Sequence, residues 1–315
     1  MSYHMSQHAH LNTENLQKPL SGIIPPMVTP LLDDHTLDRV GLSQLIEHLI
    51  QGGVHGIFVL GTTGEAPSLS YALRKELIEL TCKQAAGRIP IMVGISDSSP
   101  EESLRLAQFA AQAGAMAVVA APPFYFAMDQ TELITYYQDL ADQSPLPLYL
   151  YNMPSHTKIN IALATVQRLS EHPNIIGLKD SSGNAVYFHA VLHALRDQAS
   201  FSLLVGPEEM MASSVLMGAD GGVSGGANMF PSLYVNLFEA AAVKDHDKVI
   251  ALQANVMEIS RRIYCSGKNG SGYLQGLKTA LAIMGICNGH VASPLGNFNE
   301  EEKERVKEHL NHLTF

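Results

Sequence analysis

The feature that most constrains the fold is an alternation of short apolar segments with longer amphipathic segments, repeated eight times between Ser21 and Val243. The apolar segments have no polar face, which is typical of parallel strands that are buried on both sides. The longer segments have helical periodicity, and glycines at Gly52, Gly114 and Gly218 end three of them shortly before the next apolar run. The pattern predicts an α/β protein made of repeated strand-helix units.

Eight strand-helix units of this kind predict a (β/α)8 TIM barrel. The predicted strands are Gly22–Thr29, Gly56–Leu60, Ile91–Gly94, Ala117–Ala120, Leu148–Tyr151, Asn174–Lys179, Phe201–Val205 and Gly221–Ser224. The predicted helices cover residues 37–50, 70–86, 100–113, 130–142, 161–171, 185–199, 208–217 and 230–243. A doubly wound open sheet is the alternative, but the first strand is not followed by the GxGxxG motif that many such sheets carry.

Two further segments flank the predicted barrel. Residues 1–20 are polar and rich in histidine, without the apolar run of a secretory signal, so we expect a flexible N-terminal arm. After the barrel at 21–243, which would hold the active site, residues 244–315 contain no strand pattern, and helices are predicted at 247–264, 271–284 and 300–313. We expect this C-terminal helical region to pack on the barrel, with an oligomer interface as one possible cover for its apolar faces.

Composition excludes several classes of protein. The formal net charge of -10 argues against a nucleic-acid partner, which would call for a basic face. No apolar run is long enough for a membrane span. The three cysteines, Cys82, Cys265 and Cys287, form no CxxC pair, so we expect neither a disulfide scaffold nor a zinc site, and a cytoplasmic location is the default. The histidines show no HExxH spacing, so no metal is expected.

Lys179 ends the sixth predicted strand and is the first candidate for chemistry. An ammonium group is costly to desolvate unless it is paired or neutralised. A neutral lysine amine at such a position is a nucleophile that condenses with a ketone or aldehyde as a Schiff base. The alternatives are a side chain that extends into solvent, or an ion pair with Asp180.

Other polar residues also stand at strand ends, where the active site of a barrel lies. Gly61–Glu65 (GTTGE) is either an ordinary tight turn or a nest in which backbone N–H groups and the hydroxyls of Thr62 and Thr63 hold a carboxylate. Tyr151 is either a phenol that transfers protons near Lys179 or an aromatic strand end in water. Tyr125, after the fourth strand, is either a functional residue or an aromatic residue that packs beside Phe124 and Phe126.

Two glycine-rich segments suggest anion sites. Gly221–Asn228 follows the eighth strand, where many barrels bind phosphate, so a phosphosugar enzyme is an alternative. No arginine or second lysine flanks this loop, and its glycines are better suited to a hydroxylated substrate tail lying along the backbone near Val223. Lys268, within Ser266–Gly272, is not part of a P-loop, because GK[ST] and a preceding strand are missing. We expect a surface turn there.

Three motifs together resemble the family of dihydrodipicolinate synthase and N-acetylneuraminate lyase, the pyruvate-dependent class I aldolases. They are GTTGE at Gly61–Glu65, YNMP at Tyr151–Pro154 and GLKDSSG at Gly177–Gly183, in the family's order and spacing. The resemblance extends from Gly22 to the last helix, where Ser293-Pro294-Leu295 and the acidic run after it are similar to the family's closing segment. It implies a TIM-barrel lyase that needs neither a metal nor an organic cofactor.

The resemblance also implies a role for each site residue. Lys179 would form the imine with the keto carbon of pyruvate or another 2-oxo acid, and Tyr151 would be the acid and base. Gly61, Thr62 and Thr63 would hold the carboxylate of the 2-oxo acid.

An oligomer is implied as well. In the synthase branch of the family, a threonine links the central tyrosine to a second tyrosine from a neighbouring subunit. Thr62 and Tyr125 match these two positions, so the resemblance implies a homodimer or a homotetramer.

His156 departs from the family's YNxPxRT pattern, in which an arginine at this position binds the distal carboxylate of an aldehyde substrate. Histidine lacks the permanently charged fork of arginine. With His156 and Val223 as candidate substrate contacts, we expect a lyase acting on a 2-keto-3-deoxy sugar acid, N-acetylneuraminate or a 4-hydroxy-2-oxoglutarate type of substrate, with pyruvate and an aldehyde as its small-molecule partners. Dihydrodipicolinate synthase, a related 2-keto-3-deoxy acid dehydratase and a non-catalytic oxo-acid binder are the alternatives.

Overall fold

The computed structural model describes residues 20–267 and 271–313. Its strands are β1 (Gly22–Ile23), β2 (Leu31–Asp33), β3 (Thr36–Leu37), β4 (Ile57–Val59), β5 (Ile91–Gly94), β6 (Ala117–Ala120), β7 (Leu148–Asn152), β8 (Ile175–Asp180), β9 (Ser202–Val205) and β10 (Gly221–Gly222). Its helices are α1 (Arg39–Gln51), α2 (Tyr71–Ala85), α3 (Pro100–Ala113), α4 (Gln130–Gln143), α5 (Pro154–Thr157), α6 (Leu163–Leu169), α7 (Ala185–Leu195), α8 (Met211–Leu216), α9 (Pro231–Ala242), α10 (His246–Ile259), α11 (Gly272–Ile283) and α12 (Glu300–Asn311).

Within the described residues, eight strands form one parallel sheet in the order β1-β10-β9-β8-β7-β6-β5-β4. The chain just after β1 closes this sheet on β4. Met27 N–H donates to the Phe58 carbonyl at 2.8 Å, and Phe58 N–H donates to the Pro25 carbonyl at 2.9 Å. The predicted TIM barrel is therefore confirmed, with helices between consecutive strands.

The first strand and the first helix differ from the prediction. A strand was expected over Gly22–Thr29, but β1 ends at Ile23, because Pro25 and Pro26 have no N–H to continue the ladder. Leu37 was expected to begin a helix and instead lies in β3, which pairs antiparallel with β2. Helix α1 begins at Arg39, after Asp38 accepts a hydrogen bond from the Gly41 N–H as an N-cap.

Three other segments carry local structure that the periodicity missed. The short helix α5 follows β7 and includes His156. The predicted helix over residues 208–217 is a 3-10 turn, Glu208–Met210, followed by α8. The predicted helix over residues 247–264 is α10 followed by a π-helical turn, Ser260–Tyr264. π-helical turns inside helices are frequent at functional sites, and this one ends at a tyrosine that reaches the cavity described below.

The barrel interior is closed at one end and open at the other. Its apolar lining includes Ile24, Phe58, Met92, Val119, Tyr149 and Leu204. Tyr149 fills the amino-terminal end, where its hydroxyl accepts the N–H of Leu20 at 3.1 Å. Its ring occupies the space beside Gly177, where an added Cβ would lie 2.3 Å from a ring carbon. The carboxyl ends of the strands therefore border the accessible space, as in other barrels.

Helices α10, α11 and α12 follow the last barrel helix, α9, and share its continuous outer core. Leu20 is buried, and the rest of the arm expected over residues 1–20 lies outside the described residues, as does Lys268. The division into an arm, a barrel over 21–243 and a helical region over 244–315 stays a prediction. In the part of the chain that the structure describes, no helix has the length and apolarity needed to cross a membrane.

Candidate active site

Lys179 lies inside the barrel, near the carboxyl end of β8, and is 4% exposed. Its Nζ is 4.0 Å from the centroid of the Tyr151 ring and 4.9 Å from that of the Phe58 ring. It neither extends into solvent nor pairs with Asp180, because successive residues of a strand point to opposite faces. Asp180 instead accepts hydrogen bonds from Asn152 Nδ2 and Ser182 Oγ, each at 2.8 Å.

Tyr151 lies directly opposite this lysine in the β7–β8 strand pair. Its hydroxyl is 3.1 Å from Thr62 Oγ1. Burial acts to raise the pKa of Tyr151, but the positive charge of Lys179 and hydrogen bonds with Thr62, Lys179 and Ser181 outweigh burial, and the pKa falls below its usual value of 10.0. A phenol with a lowered pKa transfers protons more readily at neutral pH.

The GTTGE turn, Gly61–Glu65, begins at the end of β4 and is bounded by strained backbone. Leu60 and Glu65 have φ values of 59° and 57°, the left-handed region that side chains other than glycine rarely adopt. Gly61 has no space for a side chain, since a Cβ would lie 2.7 Å from the Phe58 ring. Within residues 20–267 and 271–313, no backbone or side-chain acceptor takes the N–H of Thr62 or Thr63. The turn can therefore offer both N–H groups to an anion.

A cavity of about 490 Å³ opens above Lys179. Its described lining includes Pro26, Thr62, Thr63, Tyr151, Met153, His156, Lys179, Ser181, Glu208, Glu209, Val223, Gly225, Tyr264, Ser271, Tyr273 and Leu295. An adjoining cavity of about 400 Å³ is bounded by Gly61, Glu65, Ser96 and Phe124 and shares Thr62, Tyr151, Met153 and His156 with the first. The structure thus brings Lys179, Tyr151, Gly61, Thr62, Thr63, Val223 and His156 to one connected space.

His156 and Tyr125 differ from the other predicted site residues. His156 is an exposed residue on the cavity wall. Partial burial of its ring and the charge of Lys158 lower its pKa from the usual 6.5, which favours the neutral imidazole. Tyr125 is 78% exposed and borders neither cavity in the described chain. Its role at a neighbouring subunit stays a prediction.

The cavity lining also includes three residues that were not predicted from the sequence, Glu208, Tyr264 and Tyr273. The buried carboxylate of Glu208 accepts hydrogen bonds from Gly226 N–H at 2.8 Å, Tyr234 Oη at 2.5 Å and Tyr264 Oη at 2.7 Å. Burial raises the pKa of Glu208 to about 7, although these three hydrogen bonds act to lower it. The hydroxyl of Tyr273 is 3.1 Å from Thr63 Oγ1. Glu208 follows strand β9, so the rule on strand ends could have identified it.

Tyr264 and Tyr273 carry no comparable sequence signal, because they come from the helices after the barrel. No metal site accompanies this cluster: in the described ranges, no three His, Cys, Asp or Glu side chains are placed to hold a metal ion.

The barrel with a buried lysine and tyrosine at its open end defines an aldolase-type site, and a family model agrees. The model of the Dihydrodipicolinate synthetase family matches residues 19–313. The chain belongs to this family, whose members are carbon–carbon lyases of the aldolase type.

Individual relatives include proteins named as synthases and one, YagE, named as a putative 2-dehydro-3-deoxy-D-gluconate aldolase. A structure of dihydrodipicolinate synthase from Bacteroides thetaiotaomicron is 58% identical, has a TM-score of 0.93 and covers 95% of this chain and 100% of its own. The 4-hydroxy-tetrahydrodipicolinate synthase of Methanospirillum hungatei is 30% identical over 92% of this chain and 98% of its own length. The structure of Escherichia coli YagE in complex with pyruvate is 30% identical, has a TM-score of 0.88 and covers 93% of this chain and 98% of its own.

We predict that the charge of Lys179 controls the ionisation of Tyr151. In Lys179→Met the attraction and the hydrogen bond that stabilise the phenolate are lost, so the pKa of Tyr151 should rise. A pH titration of the phenolate absorbance measures this change, with Tyr151→Phe identifying the step that belongs to Tyr151. The exposed-pair variant Lys303→Met should leave the step in place. A step at the same pH in wild type and Lys179→Met would contradict the assignment.

Proposed function

We propose that this protein is a Schiff-base (class I) aldolase that cleaves or forms a C–C bond of a 2-oxo acid, with pyruvate as product or donor. The observation that carries the proposal is the placement of Lys179 Nζ 4.0 Å from the ring centroid of Tyr151, which is itself hydrogen-bonded to Thr62. A buried amine, a phenol and an anion-binding turn around one cavity are the groups that imine chemistry on a 2-oxo acid requires.

In the cleavage direction, Lys179 Nζ adds as the neutral amine to the C2 carbonyl of the 2-oxo acid. The Tyr151 hydroxyl then protonates the departing hydroxyl group, so that water leaves and an iminium ion and the Tyr151 phenolate remain. The backbone N–H groups and hydroxyls of Thr62 and Thr63 hold the C1 carboxylate. The Tyr151 phenolate takes the proton of the C4 hydroxyl, and the C3–C4 bond breaks as its electron pair moves into the iminium to form an enamine. The aldehyde leaves, Tyr151 returns the proton to C3, and water releases pyruvate and the free lysine.

The walls of the cavity favour a hydroxylated tail over a distal carboxylate. The described lining holds no arginine and no lysine other than Lys179, which the reaction itself uses, and the pKa of His156 is lowered from its usual 6.5. The lining also includes Glu209, Tyr264 and Ser271, which can exchange hydrogen bonds with hydroxyl groups. We therefore favour a 2-keto-3-deoxy sugar acid or an N-acetylneuraminate type of substrate over 4-hydroxy-2-oxoglutarate.

The second candidate function is 4-hydroxy-tetrahydrodipicolinate synthase. It is supported by the 58% identity to the dihydrodipicolinate synthase structure from Bacteroides thetaiotaomicron. A 2-keto-3-deoxy acid dehydratase would use the same imine and is separated by its product, which retains all carbon atoms of the substrate.

The proposed reaction needs neither a metal nor an organic cofactor, because the protonated imine of Lys179 is itself the electron sink. We further propose that the protein works in the cytoplasm. The free thiols of Cys82, Cys265 and Cys287 are consistent with a reducing compartment.

We also propose a homodimer or homotetramer in which Tyr125 extends the hydrogen-bonded pair of Thr62 and Tyr151 in a neighbouring subunit. Its high exposure beside Phe124 and Phe126, themselves 52% and 75% exposed, supports a contact surface at this loop. Analytical ultracentrifugation should give two or four times the chain mass of 34.1 kDa. Tyr125→Phe should keep that mass and lower turnover, whereas a fully active monomer would contradict the proposal.

The imine is the first prediction of the proposed function. Incubation with pyruvate and borohydride should add the mass of one reduced pyruvate to the wild-type chain and none to Lys179→Ala. Tyr151→Phe keeps the amine and should still be labelled, while losing roughly 10²- to 10⁴-fold in turnover, as for other general acid–base groups. An unlabelled wild type would contradict the aldolase function and favour an oxo-acid binder or a phosphosugar enzyme.

The substrate class is tested by measuring kcat/KM of wild type and of His156 variants, both for the cleavage of 2-oxo acids and for the condensation of pyruvate with aldehydes. Wild type should release pyruvate from 2-keto-3-deoxy sugar acids more efficiently than it condenses pyruvate with an aldehyde that carries a distal carboxylate. His156→Arg should improve kcat/KM for the carboxylated aldehyde by about tenfold, the size of one charge-assisted bidentate contact. The neutral variant His156→Gln is the control and should bring no such gain. Efficient wild-type condensation with the carboxylated aldehyde would support the synthase instead.

A further inference from the structure

Lys278 is a fully buried lysine that the proposed chemistry does not use. It lies on α11, outside the barrel, and both its side chain and that of Glu65 are 0% exposed. Its Nζ donates to Glu65 Oε1 at 2.5 Å and to the carbonyl oxygen of Thr29 at 2.9 Å. The other carboxylate oxygen, Glu65 Oε2, accepts the N–H of Ala292 at 2.7 Å. A buried ion pair is tolerated when further hydrogen bonds satisfy both charges, and this pair meets that condition.

Both partners of Lys278 hold the GTTGE turn. Glu65 is the last residue of the turn and is in the left-handed conformation, and its N–H donates to the Thr62 carbonyl at 3.0 Å. Thr29 donates its hydroxyl to the Gly64 carbonyl at 2.7 Å. The ammonium group of Lys278 therefore restrains the end of the turn through a side chain and through the segment that follows β1.

Helix α11 contacts the same turn a second time. The hydroxyl of Tyr273 is 3.1 Å from Thr63 Oγ1. The same hydroxyl lies so close to Gly225 that an added Cβ there would be 1.8 Å from it, which fixes the position of the phenol against the loop after β10. Two polar contacts from one helix thus flank Thr62 and Thr63, the residues with free N–H groups.

We propose that Lys278 is a positioning residue for substrate binding, which acts by holding the GTTGE turn in the conformation that receives the carboxylate of a 2-oxo acid. The inference rests on the proposed function. Left-handed backbone at Leu60 and Glu65 is unfavourable and persists where surrounding contacts over-determine it. Without the Lys278–Glu65 pair the turn relaxes, and the N–H groups and hydroxyls of the turn no longer match the carboxylate.

The test measures how labelling depends on pyruvate concentration. Wild type and Lys278→Met are trapped with borohydride over a range of pyruvate concentrations and analysed by intact mass. In Lys278→Met the half-saturating pyruvate concentration should rise by about tenfold or more, since small displacements of positioning groups have effects of this order. The label at saturation should still lie on Lys179, because the amine and Tyr151 are unchanged.

A matched control separates positioning from a general loss of stability. Leu281, on the same helix, is fully buried and apolar, and Leu281→Ala should lower the melting temperature without moving the half-saturating concentration. If Lys278→Met does not fold, the half-saturating pyruvate concentration is measured in the double variant Lys278→Met/Glu65→Met instead, because apolar replacement of a buried ion pair often preserves stability. Tyr273→Phe, which removes one oxygen atom from the second contact, should give a smaller rise in the same direction.

The outcomes distinguish this inference from the proposed function. An unlabelled wild type means that the proposed function is wrong. A labelled wild type with unchanged half-saturation in Tyr273→Phe and in the folded Lys278 variant overturns the positioning role. Equal shifts in Leu281→Ala and Lys278→Met would also overturn it, since stability alone would then account for the effect.

Discussion

The rest of the site depends on the burial of Lys179 in an apolar barrel interior. An ammonium group there has lost its water, and the described chain compensates it with the faces of two aromatic rings, Tyr151 and Phe58, rather than with a carboxylate. A carboxylate partner would hold the lysine in its charged, unreactive form. Asp180, the nearest acidic residue in sequence, is directed to the other face of β8 and is bound by Asn152 and Ser182. The strand alternation thus leaves Lys179 Nζ without a carboxylate partner among the described residues.

The same charge sets the state of the acid and base. The pKa of Tyr151 lies below its usual value because attraction to Lys179 and the hydrogen bonds around the phenol exceed the effect of burial. The barrel supplies this geometry through the register of β7 on β8, which pairs Tyr151 with Lys179. The helices after the barrel then complete the site, since Tyr273 and Lys278 reach the GTTGE turn from α11.

Much of the fold was accessible from periodicity, and the errors have identifiable causes. Strands buried on both faces stand out as apolar runs, so the barrel and its strand order were predictable. The extent of β1 was wrong because Pro25 and Pro26 cannot donate ladder hydrogen bonds, although their apolar neighbours look like a strand. Leu37 was predicted to begin a helix because the hairpin of β2 and β3 is too short to show the alternation of polar and apolar residues that identifies a strand. The π-helical turn at Ser260–Tyr264 was missed because it continues the apolar pattern of α10.

The sequence by itself determined the barrel, the position of Lys179 at a strand end and the other strand-end motifs, because these are local patterns of residue type and spacing. Tertiary structure alone decided which side chains from distant parts of the chain contact the residues at the strand ends. Glu208 is held by Tyr234 and Tyr264, and Glu65 by Lys278, 213 residues away in the chain. No local pattern encodes such pairs. They follow from the packing of α9, the last barrel helix, and of the helices after it around the open end of the barrel, which places Tyr234, Tyr264 and Lys278 beside the buried carboxylates of Glu208 and Glu65.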